Sequence, residues 1–136
     1  MKKASFALCI AVIALGLALA AGVKTFLAPC VHEDGSFGAC HWAGQMLLGV
    51  GALIAALGLL ALIHRNQSVR AGLLLAAAAA SILGLLTPGT LISLCKMSAM
   101  RCRAIMQPAA MVLCALALLF SLAGALAGRW KKMRCS

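Results

Sequence analysis

Long apolar segments, separated by short polar ones, make up most of this chain. They cover residues 4–23, 42–63, 71–87 and 108–128. A helix needs about 17 to 25 mostly apolar residues to cross the hydrocarbon core of a bilayer, so each segment predicts a spanning helix. The pattern therefore predicts an all-α fold, an integral membrane four-helix bundle, with residues 1–136 forming a single transmembrane domain.

Residues at the segment ends support these boundaries. Trp42 opens the second helix, where an indole suits the headgroup level of the bilayer. Pro88 and Gly89 end the third helix, because proline lacks a backbone donor and glycine is conformationally permissive. Pro108 suits the first turn of the fourth helix.

Small residues recur at helical spacing on two of the predicted helices. The second helix carries Gly51, Ala55 and Gly58 on one face. The third helix carries a small residue at every fourth position: Gly72, Ala76, Ala80 and Gly84. Because small residues let a neighbouring backbone approach closely, both rows are predicted to face other helices.

The first segment has two interpretations. Ala18 and Ala20 resemble the small-residue cleavage site of a signal peptide. The apolar run is about twenty residues long, however, whereas the apolar region of a signal peptide has about 7 to 15. A retained helix is therefore expected.

Composition excludes a soluble domain, since 65% of residues are hydrophobic, 10% are charged and the mean hydropathy is +1.09. The net charge of +10 suggests nucleic-acid binding at first sight. The cations border apolar segments, however, which is typical of topology signals and lipid-headgroup contacts. We therefore expect the lipid bilayer as a partner and no nucleic acid.

The distribution of cations also predicts the orientation. One side would hold eight cations: Lys2, Lys3, Arg65, Arg70, Arg129, Lys131, Lys132 and Arg134. The other side would hold four: Lys24, Lys96, Arg101 and Arg103. Since cytoplasmic loops are richer in lysine and arginine, both termini are predicted to be cytoplasmic, with two extracytoplasmic loops at residues 24–41 and 88–108.

Topology divides the seven cysteines into three groups. Cys9 and Cys114 lie inside helices at levels that differ by roughly 15 Å, so they cannot pair and are expected to be buried. Cys135 lies in the cytoplasmic tail, where thiols stay reduced. The others fall in the two outer loops: Cys30, Cys40, Cys95 and Cys102.

An even number of cysteines on the oxidising side predicts two disulfides. Of the three possible connectivities, the intraloop pairs Cys30–Cys40 and Cys95–Cys102 are slightly favoured over the two cross-loop arrangements. On a continuous helix Cys95 and Cys102 would be about 10 Å apart, too far to bond. That pair therefore requires a break in the helix between them.

Soft donors in the same loops make metal binding an alternative. The candidate ligands for Cu(I) or zinc are Cys30, His32, Cys40, His41, Met97 and Met100. Cysteines in an oxidising compartment usually pair with each other, and methionines near membrane interfaces commonly serve in packing. A metal site is therefore not favoured.

Thiol–disulfide exchange is the alternative that ranks ahead of metal binding, because the architecture resembles that of the quinone-linked disulfide-forming membrane proteins and their vitamin K epoxide reductase relatives. This resemblance implies a redox role for the four loop cysteines and a quinone cofactor; without it, no cofactor is expected. Lys96, Arg101 and Arg103 would favour a thiolate at Cys95 or Cys102. The chain departs from these proteins in lacking Cys-x-x-Cys.

No nucleophile motif, phosphate-binding loop or intramembrane acid marks a catalytic or transport function, and no charged residue lies inside the predicted spans. Whether the chain is an enzyme stays open. Small-residue faces favour packing against itself or other membrane proteins. We therefore expect a non-enzymatic accessory or structural subunit of a membrane assembly.

Motifs in the two outer loops also resemble those of one family. They are Pro29-Cys30, Cys40-His41-Trp42, Pro88-Gly89-Thr90, Cys95-Lys96-Met97 and Met100-Arg101-Cys102. Together they resemble a family of small four-helix bacterial membrane proteins known as a domain of unknown function. The resemblance implies the bacterial cytoplasmic membrane and no assigned activity.

Overall fold

The computed structural model describes residues 2–25, 39–88, 90 and 102–134. They form α1 (Lys2–Lys24), α2 (Ala39–Ile63), α3 (Gln67–Leu86), a π-helical turn (Cys102–Met106) and α4 (Gln107–Arg134). Each α-helix contains a stretch long and apolar enough to cross a membrane. Over the described residues, the prediction of an all-α fold with four helices long and apolar enough to span a membrane is confirmed.

The four helices pack in a ring, with α1 and α3 each contacting both α2 and α4. Neighbours run antiparallel: Gly16 of α1 lies against Ala55 of α2, and Gly124 of α4 lies against Leu74 of α3. One end of the bundle therefore holds the start of α1, the α2–α3 connection and the end of α4. We call it the terminal end. The opposite end, where α2 and the π-helical turn begin, we call the loop end.

Large apolar side chains lie on both the inside and the outside of the bundle. Leu19, Leu47 and Ile54 are at most 1% exposed and fill the core. Leu17 and Leu119, in contrast, are 57% and 62% exposed. A helix that is apolar around its whole circumference suits a lipid environment, where the outer face needs no polar residues.

Glycines bring the backbones of α1 and α2 into direct contact. A Cβ atom built on Gly16 would lie 2.6 Å from Ala55 N and 2.8 Å from Gly51 O. One built on Gly51 would lie 2.8 Å from Ala20 N. A Cβ on Gly58 would meet Ile13 Cγ1 at 2.8 Å. The small-residue face predicted on the second helix is confirmed, and its partner is α1.

The prediction that the row of small residues on the third helix faces other helices is wrong for the first half of the row. Gly72 and Ala76 are exposed, whereas Ala80 and Gly84 are buried. The reason is geometric: four residues turn an α-helix by about 400°, so each step along the row rotates by about 40°. The true buried face shifts between three- and four-residue steps and contains Leu74, Ala77, Ala78, Ala80, Ser81 and Gly84.

Helix α3 begins at Gln67, four residues before the predicted Ala71. Asn66 is its N-cap, and its side-chain Oδ1 accepts a hydrogen bond from Ser68 N at 3.3 Å. Asparagine is among the preferred N-cap residues because it satisfies one of the unpaired donors of the first turn. This early start places Arg70 inside the candidate span Gln67–Leu86, whereas the segment predicted from the sequence, residues 71–87, leaves it outside.

The other end of α3 is fixed by Thr87, the residue before Pro88. Its backbone N–H and its Oγ1 both donate to Leu83 O, at 3.0 and 2.8 Å. The C-cap thus satisfies a carbonyl that would otherwise lack a helical partner. Pro108 lies in the first turn of α4, where its missing donor is tolerated.

Candidate functional site

The loop end is where the predicted cysteine site belongs. Cys40 lies in the first turn of α2, and Cys102 is the first residue of the π-helical turn. Both elements start at this end, so the backbone brings these two positions to one side of the bundle. The other loop candidates lie outside the described residues: Cys30, His32, Cys95, Met97 and Met100. The side chains of Cys40 and Cys102 are likewise outside the described part, so the disulfides stay a prediction.

The π-helical turn Cys102–Met106 was not anticipated from the sequence. Such turns are rare and occur frequently at functional sites. Pro108 suggests its origin: proline has no N–H, so the carbonyl of Ala104 lacks the usual donor four residues later. A π pattern offers that carbonyl a donor five residues later instead. Met106, which is 1% exposed, anchors the turn on the core.

Among the candidate metal ligands, His41 has a described side chain. It is half-buried, and its ring forms a T-shaped contact with the ring of Trp42, with the ring centroids 5.9 Å apart. Trp42 itself is largely exposed at the end of α2, as expected for an indole at the membrane interface. Within the described ranges, no group of three or more His, Cys, Asp or Glu residues could hold a metal ion.

A polar contact that sequence reasoning missed lies at the terminal end. Arg70 Nη2 donates to Ser5 O and to Cys9 Sγ, both at 3.3 Å. Arg70 is half-buried, and Cys9 is fully buried. The contact joins α3 to α1, helices that lie across the bundle from each other. As an N-cap residue, Asn66 indicates that Arg70 belongs to the helix, but it carries no signal for the partners of Arg70 on α1.

Two cysteines within the helices behave as predicted. Cys9 and Cys114 are both fully buried and form no disulfide. Cys114 packs against α3, since a Cβ on Gly84 would lie 2.7 Å from its sulfur.

Buried hydroxyls account for the polar groups in the described core. Ser81 Oγ donates to Ala77 O at 2.8 Å, one turn back along α3. Ser121 Oγ, on α4, is buried and has no hydrogen-bond partner within the described residues. These hydroxyl groups are neutral, so the described interior is a packed apolar core that contains a few buried hydroxyls.

Comparison with known proteins identifies a family. The family described as Domain of unknown function (DUF4418) matches residues 12–127. The match runs from within α1 to within α4 and therefore includes all of α2 and α3. No curated protein and no solved structure matches the chain. The resemblance stated from the loop motifs is confirmed.

Proposed function

The chain belongs to the DUF4418 family, and on that premise we propose that it is a non-enzymatic accessory or structural subunit of a membrane assembly. The observation that carries this proposal is the backbone-to-backbone packing of α1 on α2, where a single added carbon at Gly16 would fall 2.6 Å from Ala55 N. Such packing makes a rigid unit, which suits a protein that holds or positions others.

In this proposal, two disulfides among Cys30, Cys40, Cys95 and Cys102 hold the outer loops in one conformation. Support comes from the backbone, because Cys40 in the first turn of α2 and Cys102 at the start of the π-helical turn lie at the same end of the bundle. A disulfide that closes a loop of about 10 residues stabilises by roughly 2 to 4 kcal/mol in the chain-entropy account. The stapled loops would be the surface that the subunit presents to its partners.

The proposal places the protein in the bacterial cytoplasmic membrane with both termini in the cytoplasm. Cations at the terminal end support this orientation, with Lys3, Arg65 and Arg134 all exposed there. An excess of lysine and arginine is typical of the cytoplasmic side. The loop end would then face the oxidising compartment, where disulfides form and persist.

Thiol mass-tagging in intact cells tests this proposal. With a reagent that does not cross the membrane, we expect no tags on the loop cysteines before reduction and four after it. Cys135 should gain its tag only when the cells are permeabilised, since it lies on the cytoplasmic side. The number of tags per chain is read as a mass shift on a denaturing gel.

Three outcomes of that experiment would contradict the proposal. Labelling of Cys135 in sealed cells would reverse the orientation. Free labelling of all four loop cysteines, with neither reductant nor chelator, would rule out the disulfides. Labelling that appears only after a Cu(I) or zinc chelator is added would instead identify a metal site.

A further inference from the structure

Arg70 is a cation held at the membrane boundary by neutral partners. Its Nη2 bonds to a backbone carbonyl and a thiol, Ser5 O and Cys9 Sγ, each at 3.3 Å. A guanidinium carries five N–H donors. Its Nε and Nη1 donors have no partner within the part of the chain that the structure describes. The contact with α1 therefore fixes one edge of the guanidinium and leaves donors for another acceptor.

The chain's own acidic residues fall outside the residues that the structure describes. There are two of them, Glu33 and Asp34, and both belong to the connection between α1 and α2. None of the described residues is an aspartate or a glutamate. The terminal end meanwhile carries further exposed cations, among them Lys3, Arg65 and Arg129. Within the described part of the chain, this half-buried positive charge therefore has no acidic side chain to neutralise it.

We propose that Arg70 binds the phosphate of an anionic membrane lipid at the terminal end of the bundle. A guanidinium matches phosphate oxygens with two parallel hydrogen bonds, and pairs of this kind are stronger than neutral ones. Because Ser5 and Cys9 already hold the side chain, less of its conformational entropy is lost when the lipid binds.

The position of Arg70 favours a lipid over a free anion. It is the fourth residue of the span Gln67–Leu86, about 5 Å along the helix from its start. Arginine near the end of a spanning helix extends its charged group to the interface, where the lipid phosphates lie. The exposed cations around it would attract anionic headgroups to the same surface.

The test measures lipid-dependent stability of the full-length protein in detergent micelles. Phosphatidylglycerol should raise the melting temperature of the native chain more than phosphatidylcholine does. Arg70→Gln should reduce the apparent affinity for phosphatidylglycerol by about tenfold, as expected for the loss of charge-assisted hydrogen bonds. Arg65→Gln is the matched control, because it removes the same charge from an exposed position at the same end.

Arg70→Lys separates geometry from charge. Lysine keeps the positive charge but not the planar fork, so at least half of the lipid-induced shift should disappear. Each variant is compared with and without lipid, so any change in its intrinsic stability cancels.

The proposal fails if Arg65→Gln weakens lipid binding as much as Arg70→Gln, or if Arg70→Lys retains the full shift. Equal shifts with phosphatidylglycerol and phosphatidylcholine would also overturn it. Inorganic phosphate that reproduces the shift on its own would show that the site takes a free anion rather than a lipid.

Discussion

Replacing Gly16 by alanine is expected to destabilise the bundle by about 2 kcal/mol. The new methyl carbon would fall within 3 Å of two backbone atoms, Ala55 N and Gly51 O. Backbone atoms of a neighbouring helix cannot rotate away, so α1 and α2 must separate and lose contact along their length. Overpacking of this kind costs up to about 3 kcal/mol, and the better helix propensity of alanine offsets about 1 kcal/mol. The free energy of unfolding in micelles, measured by denaturant titration, provides the check.

Gly49→Ala is the control for this effect, since Gly49 lies two residues from Gly51 on α2. A Cβ atom on Gly49 meets nothing within 4 Å, so this variant should be neutral or more stable by about 0.5 to 1 kcal/mol. Gly51→Ala should resemble Gly16→Ala, because its Cβ would lie 2.8 Å from Ala20 N. Equal stability of the Gly16, Gly51 and Gly49 variants would show that close backbone packing does not hold these helices together.

Replacing Gly84 by alanine is expected to lower the stability of the bundle, and a second substitution should restore part of the loss. The added carbon would lie 2.7 Å from Cys114 Sγ and 3.1 Å from Val50 Cγ1. Relative to Gly72→Ala, whose site is open, the Gly84 variant should be less stable by about 2 kcal/mol. Cys114→Ala removes the sulfur that the new carbon meets. The loss of unfolding free energy in the double variant should therefore be about 1 kcal/mol smaller than the sum of the losses in the two single variants.

The same unfolding measurement on all four chains gives this coupling energy. A coupling near zero would mean that Gly84 and Cys114 do not share one packing site. Greater stability of Gly84→Ala than of Gly72→Ala would place Gly84 on the outer face of α3.

The four long apolar helices were predictable because the signal for each is a single continuous stretch of sequence. Runs of about 20 apolar residues identify a helix whatever it packs against. The face that each helix buries depends on its neighbours. On α2, Gly51, Ala55 and Gly58 follow the three- and four-residue steps of a helix face, so the prediction held. On α3, Gly72 and Ala76 were assigned to the interior by a strict four-residue rule, and they face outward.

The polar contacts at the helix ends were less predictable. Asn66 is a common N-cap residue, yet the cations around it made residues 64–70 resemble a loop. The bond between Arg70 and Cys9 joins positions 61 residues apart, and no local pattern encodes such a contact. At the loop end, the disulfides are predicted from the sequence alone. Their pairing depends on the path of loop residues that lie outside the described ranges.

The central claim is that the loop cysteines form structural disulfides rather than a working redox pair. The most direct test follows the redox state of Cys30, Cys40, Cys95 and Cys102 by mass-tagging in cells whose quinone supply is cut off. If the disulfides are structural, we expect all four cysteines to stay oxidised and no mixed disulfide with a soluble thiol protein to accumulate. Conversion of one pair to free thiols as quinone falls would contradict the claim and identify the chain as a membrane thiol–disulfide oxidoreductase.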